Sequence, residues 1–133
     1  MSQDRETFQQ LAETRLVEAR VLQENGHPSG AYYLAGYAVE CALKAEISKR
    51  FKANEIPDKS LVNSVYTHKL IELLRLSGLE REMKADVAMS DRWTLVSEWS
   101  EQARYTTWTS NEASGMLNAI GGEEGLLKWL LNR

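Results

Sequence analysis

Apolar positions recur at helical spacing along almost the whole chain. Phe8, Leu11, Ala12, Ala19 and Leu22 fall on one stripe, with Arg5, Glu13, Arg20 and Glu24 mostly away from it. Asn25-Gly26-His27-Pro28 predicts the stop of that first helix, since Gly takes positive φ and Pro cannot continue the ladder. Ser29 is then the expected cap of a second helix over about Gly30 to Phe51. There Ala31, Ala35, Ala38, Ala42 and Ala45 form a small-residue stripe, flanked by Leu34 and Cys41 on one side and Val39 and Leu43 on the other. A helix apolar over so much of its circumference is a central one, and the alanines let a neighbour approach closely. Its remaining face carries Tyr33, Tyr37, Glu40 and Lys44.

A loop is predicted from Lys52 to Tyr66, around Pro57-Asp58. Thr67 is the expected N-cap of a short helix through Leu76, closed by Ser77-Gly78, with further helical turns between Leu79 and Met89. Ser90 or Asp91 would cap a helix bearing Trp93, Val96 and Trp99. Thr109-Ser110-Asn111-Glu112 is a capping-box pattern that opens a last helix with Ala113, Met116, Leu117 and Ile120. Leu127, Leu130 and Leu131 extend it past Gly121-Gly122, as one helix or two. The expectation is a single all-α domain over residues 1–133, an antiparallel up-down bundle.

Composition narrows the function classes. A chain of 133 residues can hide about two-thirds of its surface and needs no covalent staple. With Cys41 as the lone cysteine and two histidines, neither an internal disulfide nor a Cys/His zinc site can form, so no metal and no cofactor is expected. Sixteen basic against 19 acidic residues, net −3, argue against a whole-surface grip on nucleic acid but leave room for a local basic pocket. No apolar run reaches the roughly 20 residues of a membrane span, and the polar start MSQDRETFQQ does not read as a secretory signal. A cytoplasmic protein is expected. P-loop, GxGxxG, GxSxG and HExxH patterns are absent from the sequence.

Three groups could carry chemistry. Glu40 and Lys44, at i,i+4 with the acid first, form either a solvated surface pair or, given their apolar neighbours, a pair set in a cleft. Arg104-Tyr105, followed by Thr106 and Thr107, either binds phosphate or satisfies carbonyls at a helix end. His68, just after Thr67, would be the first residue of its helix, structural or part of a site. Cys41 reads as a small buried hydrophobe. The run Lys49-Arg50-Phe51-Lys52 with Lys59 is a local basic patch at a helix C-terminus, where cations are favoured.

Tyr33 to Ala45, YLAGYAVECALKA, resembles the second helix of HEPN domains with its A..E..LKA pattern. Tyr66-Thr67-His68-Lys69-Leu70 with Leu73-Leu74 resembles that family's H.L..LL helix, Ser100 to Tyr105 its RY element, and Ala113 to Ile120 its closing helix. The resemblance implies a bundle of four to five helices, a homodimer, and a polar groove near the subunit interface. It further implies binding of nucleotide or RNA, or metal-independent ribonuclease activity, in a toxin–antitoxin or defence pair whose partner is a minimal nucleotidyltransferase. In that groove Arg104 would meet phosphate, Lys44 a second phosphate or Glu40, and Tyr37, Tyr105 and Tyr33 would stack or hydrogen-bond. Glu40 would orient Lys44 and Arg104, and His68 would be a further ligand contact. The family's ribonucleases carry an R-x(4–6)-H motif. Counted from Arg104, its histidine should fall where this chain has Thr109, Ser110 or Asn111, none of which acts as a general base near neutral pH. Arg20 to His27 fits the spacing but spans a helix end and its loop. An interaction module with tryptophan anchors is the remaining expectation.

Overall fold

The computed structural model describes residues 5–48 and 66–133, and everything described is helix or short connection. The first helix, α1 (Arg5–Glu24), buries Ala12, Leu16 and Ala19. It ends where Gly26 takes φ 82° and Asn25 Nδ2 bonds the carbonyl of Val21 at 2.8 Å. Only Asn25, Gly26 and His27 separate it from α2 (Pro28–Ser48), so the two form a helical hairpin and pack along most of their length.

α2 begins two residues earlier than Ser29 as a cap would place it. Proline suits the first helical position, where its missing N–H is no loss and its fixed φ is already helical. Ser29 is therefore inside the helix, and its Oγ accepts the backbone N–H of Trp108 at 2.9 Å, tying α2 to the distant segment before the last long helix. The alanine stripe is fully buried, with Val39, Leu43 and Ile47 beside it. α2 touches α1 and most of the later elements, as expected for a central helix. The basic run at 49–52 with Lys59, and the predicted loop up to residue 65, lie outside the described residues.

Beyond it, α3 (Leu70–Ser77) starts later than Thr67 would set it. Thr67 Oγ1 instead accepts the N–H of Lys69 at 3.2 Å, a local turn that keeps Thr67 and His68 outside the helix. Gly78, at φ 80°, closes α3 as expected. Then come α4 (Glu80–Ala85) and α5 (Val87–Val96). Asp86, rather than Ser90 or Asp91, caps α5, its Oδ1 accepting from Met89 N at 3.1 Å. Trp99 consequently falls just beyond α5. Its indole lies against Gly36 of α2, where an added Cβ would come within 2.2 Å of the ring, and its Nε1 donates to the Tyr33 carbonyl at 3.1 Å.

A 3₁₀ turn (Glu101–Tyr105) follows, opened by Ser100, whose hydroxyl accepts from Gln102 N. The capping box at Thr109 and Glu112 is complete and opens α6 (Ser110–Ile120). Gly121-Gly122 interrupts the closing segment, Gly122 at φ 83°, and α7 (Leu126–Leu131) is a separate helix. The fold is an all-α bundle with α2 at its centre. No described helix is long and apolar enough to cross a membrane.

Candidate functional site

The polar face of α2 is turned into the molecule rather than to bulk water. Tyr33, Tyr37 and Lys44 are half-buried, and Glu40 is 1% exposed. A carboxylate that deep is tolerable only when opposite charge and hydrogen bonds compensate its lost hydration. Glu40 Oε2 meets both needs. It accepts from Lys44 Nζ at 3.2 Å, one helical turn away, and lies 3.0 Å from His68 Nδ1. The extended start of the α3 segment is what delivers His68. As the first residue of a helix its ring would be set by that helix, whereas in the turn made by Thr67 it reaches across to α2.

With Nδ1 engaged, the other ring nitrogen faces outward. His68 Nε2 lies 3.4 Å from Glu101 Oε2, on the 3₁₀ turn. The side chains of His68 and Glu101 are 42% and 39% exposed, so this second contact is within reach of solvent. The result is a row of alternating character across three elements: Lys44, Glu40, His68, Glu101. Glu40 Oε1 is buried and has no hydrogen-bond partner among the described residues, so the carboxylate keeps acceptor capacity for a further donor.

Arg104, three residues after Glu101, is fully exposed, and its guanidinium lies over the Tyr105 ring, 4.9 Å from the centroid. Its neighbour Tyr105 raises the already high Arg104 pKa, with Tyr33 and Glu101 in electrostatic range adding to the effect, so the group stays charged throughout the accessible pH range. Glu40 thus orients Lys44 and His68, and Arg104 is held by Tyr105 instead. The reason is reach: the 3₁₀ turn puts Glu101, not Arg104, opposite the imidazole. Of the aromatic members, Tyr33 and Tyr37 meet, whereas Tyr105 is 72% exposed and makes no ring contact with them. Tyr33 and Tyr37 are 6.1 Å apart by centroid, and Tyr33 and Trp99 5.8 Å. Burial, then Cys41, Glu40 and Tyr33, raise the Tyr37 pKa, while Arg15 of α1 lowers it. Burial likewise pushes the Cys41 thiol up to about 12, despite the opposing charges of Lys44 and Arg15.

Two neighbours of the row were not among the residues the sequence singled out. Glu101 carries a usable signal, since it stands three residues before Arg104 in a short turn and so shares its side. Arg15, which also pairs with Glu18, carries none locally; its nearness to Tyr37 and Cys41 depends on the register of α1 against α2. A separate cavity of ≈ 320 Å³ lies between α1 and α7, lined by Leu16, Val17, Arg20, Ile120 and Leu127 among others, and none of the expected site residues borders it. Among the described residues no group of three or more His, Cys, Asp or Glu side chains is placed to hold a metal ion.

The row can do two things chemically. It offers the cations Lys44 and Arg104 and the His68 imidazole near aromatic side chains, an arrangement suited to a phosphate-bearing ring compound. It also offers an imidazole whose Nδ1 is fixed by a buried carboxylate, which is how proton-transfer histidines are oriented. Compared with protein-family models, with curated proteins and with solved structures, the chain matches none.

Proposed function

We propose that this is a HEPN-like protein that binds a nucleotide or RNA in the groove between the polar face of α2 and the 3₁₀ turn. The observation that supports it best is the continuous row from Lys44 through Glu40 and His68 to Glu101, with Arg104 three residues further on and Tyr33 within its electrostatic range. On this reading Arg104 and Lys44 take phosphate oxygens, Tyr105, Tyr37 and Tyr33 offer faces or hydroxyls to a base or ribose, and Glu40 holds Lys44 and His68 in place from beneath. A homodimer and a neighbouring nucleotidyltransferase follow from the same resemblance. Val17 and Val21, exposed one turn apart on α1, are apolar surface for such a contact.

The test is a titration of fluorescent AMP and of a short single-stranded RNA. Arg104→Ala, at a fully exposed position, is expected to abolish binding and leave the helical circular dichroism unchanged. Undiminished affinity in that variant removes Arg104 from the site.

A second reading has its own support. The Glu40–His68 pair supplies, from another element, the imidazole missing downstream of Arg104, which favours a divergent metal-independent ribonuclease. RNA cleavage that persists in EDTA and is lost in His68→Ala is the expected sign, and intact RNA after prolonged incubation with the wild-type protein excludes it. A purely scaffolding role draws less support, because Trp99 and Trp108 are committed within the fold: Trp99 is buried on Gly36, and Trp108 stacks on Tyr32 at 3.7 Å and bonds Ala103 O.

A further inference from the structure

We propose that Glu101 is an internal competitor for the anion position of the groove: its carboxylate rests on His68 Nε2 and has to leave before a phosphate group can take that place. The inference rests on the nucleotide or RNA reading above and adds the control of access to it.

Three features carry it. First, the imidazole is aimed. Glu40, buried and paired with Lys44, holds Nδ1 at 3.0 Å, so Nε2 points away from α2, toward the 3₁₀ turn. Second, what Nε2 meets there is an anion of this chain, Glu101 Oε2, at 3.4 Å. When both ring nitrogens carry protons, Nε2–H meets the same kind of oxygen from a carboxylate as from a phosphate monoester, so one stands where the other would bind. Third, the two contacts of the ring differ in depth. The Glu40 side chain is 2% exposed, whereas that of Glu101 is 39% exposed. An exposed ion pair is weak and salt-screened, so an incoming anion can displace it while the inner contact stays made. Glu101 also reduces the attraction of the groove at longer range, since its charge lies close enough to Arg104 to act on it. The charged groups facing the imidazole are Glu40 and Lys44 from α2 and Glu101 from the 3₁₀ turn, with Arg104 beyond.

Inorganic phosphate titrated into the full chain, followed by the ring ¹⁵N resonances of His68, reads the competition without relying on any nucleotide. Glu101→Gln is expected to tighten phosphate binding at Nε2 about 3- to 10-fold, the range for losing an exposed ion pair and one nearby like charge, while Nδ1 stays unchanged. Glu124→Gln, which removes the same charge from an exposed position in the turn between α6 and α7, is expected to change affinity far less. No tightening in Glu101→Gln, or an equal gain in Glu124→Gln, overturns the proposal. A selective gain in phosphate affinity with no AMP or RNA binding in any variant upholds the competitor and removes the ligand reading instead.

Discussion

Cys41 and Glu40 sit side by side on α2, both buried, with opposite chemical consequences. Glu40 is partnered by Lys44 and His68, whereas burial, with Glu40 next, drives the Cys41 thiol up to about 12 against the opposing pull of Lys44 and Arg15. The native thiol is therefore expected to resist iodoacetamide at pH 8 and to be alkylated only after denaturation, a difference that intact-mass spectrometry reads directly. Modification of the native protein at the rate of a free thiol would show that Cys41 is open to solvent. At this scale the sequence was informative about identity and less so about partners. The i,i+4 step from Glu40 to Lys44 is visible in the residue numbers. The approach of His68, 28 positions away, is not, because it depends on a turn at Thr67 that resembles a helix cap.

The helices show where local signals are sufficient. The Thr109–Glu112 capping box, the Gly78 stop and the alanine stripe of α2 act within a few residues of themselves, and each formed as its pattern implied. The misplaced boundaries lie where two caps compete: Pro28 preempts Ser29, Asp86 preempts Ser90 and Asp91, and Trp99 is left outside α5. That displacement makes Gly36 critical. On helix propensity alone Gly36→Ala would stabilise α2 by about 1 kcal/mol. The new Cβ would instead lie 2.2 Å from the Trp99 ring, so the variant is expected to lose about 1–3 kcal/mol in urea denaturation. An increase in stability would mean that the indole moves aside freely.

For the molecule as a whole, the raised acidities have a summed effect with a definite sign. A thiol or phenol whose pKa is higher in the folded state releases its proton first from the unfolded chain. Below about pH 9 Cys41 is protonated in both states and stability is unaffected by it. Between 9 and about 12 the unfolded chain alone has lost the proton, so stability falls with a slope of about 1.4 kcal/mol per pH unit. Tyr32 and Tyr37, raised chiefly by burial, add to the fall from about pH 10 upward. Thermal melts over pH 8–11 are expected to show a midpoint that declines steadily above 9, and Cys41→Ala is expected to flatten the first part of that decline. A melt independent of pH up to 11 would contradict the burial of these groups.

The indole lodged on Gly36 has a mechanical consequence. Trp99 is the last residue but one before the 3₁₀ turn, and it is pinned to α2 by both its ring and its Nε1. The turn bearing Glu101 and Arg104 is thus held on both sides, since Ala103 within it is buried and Trp108 beyond it bonds both Ala103 O and Ser29 Oγ. Releasing the Glu101 carboxylate from the imidazole is therefore a rotation of one side chain over a backbone that stays docked, and it need not open the interior.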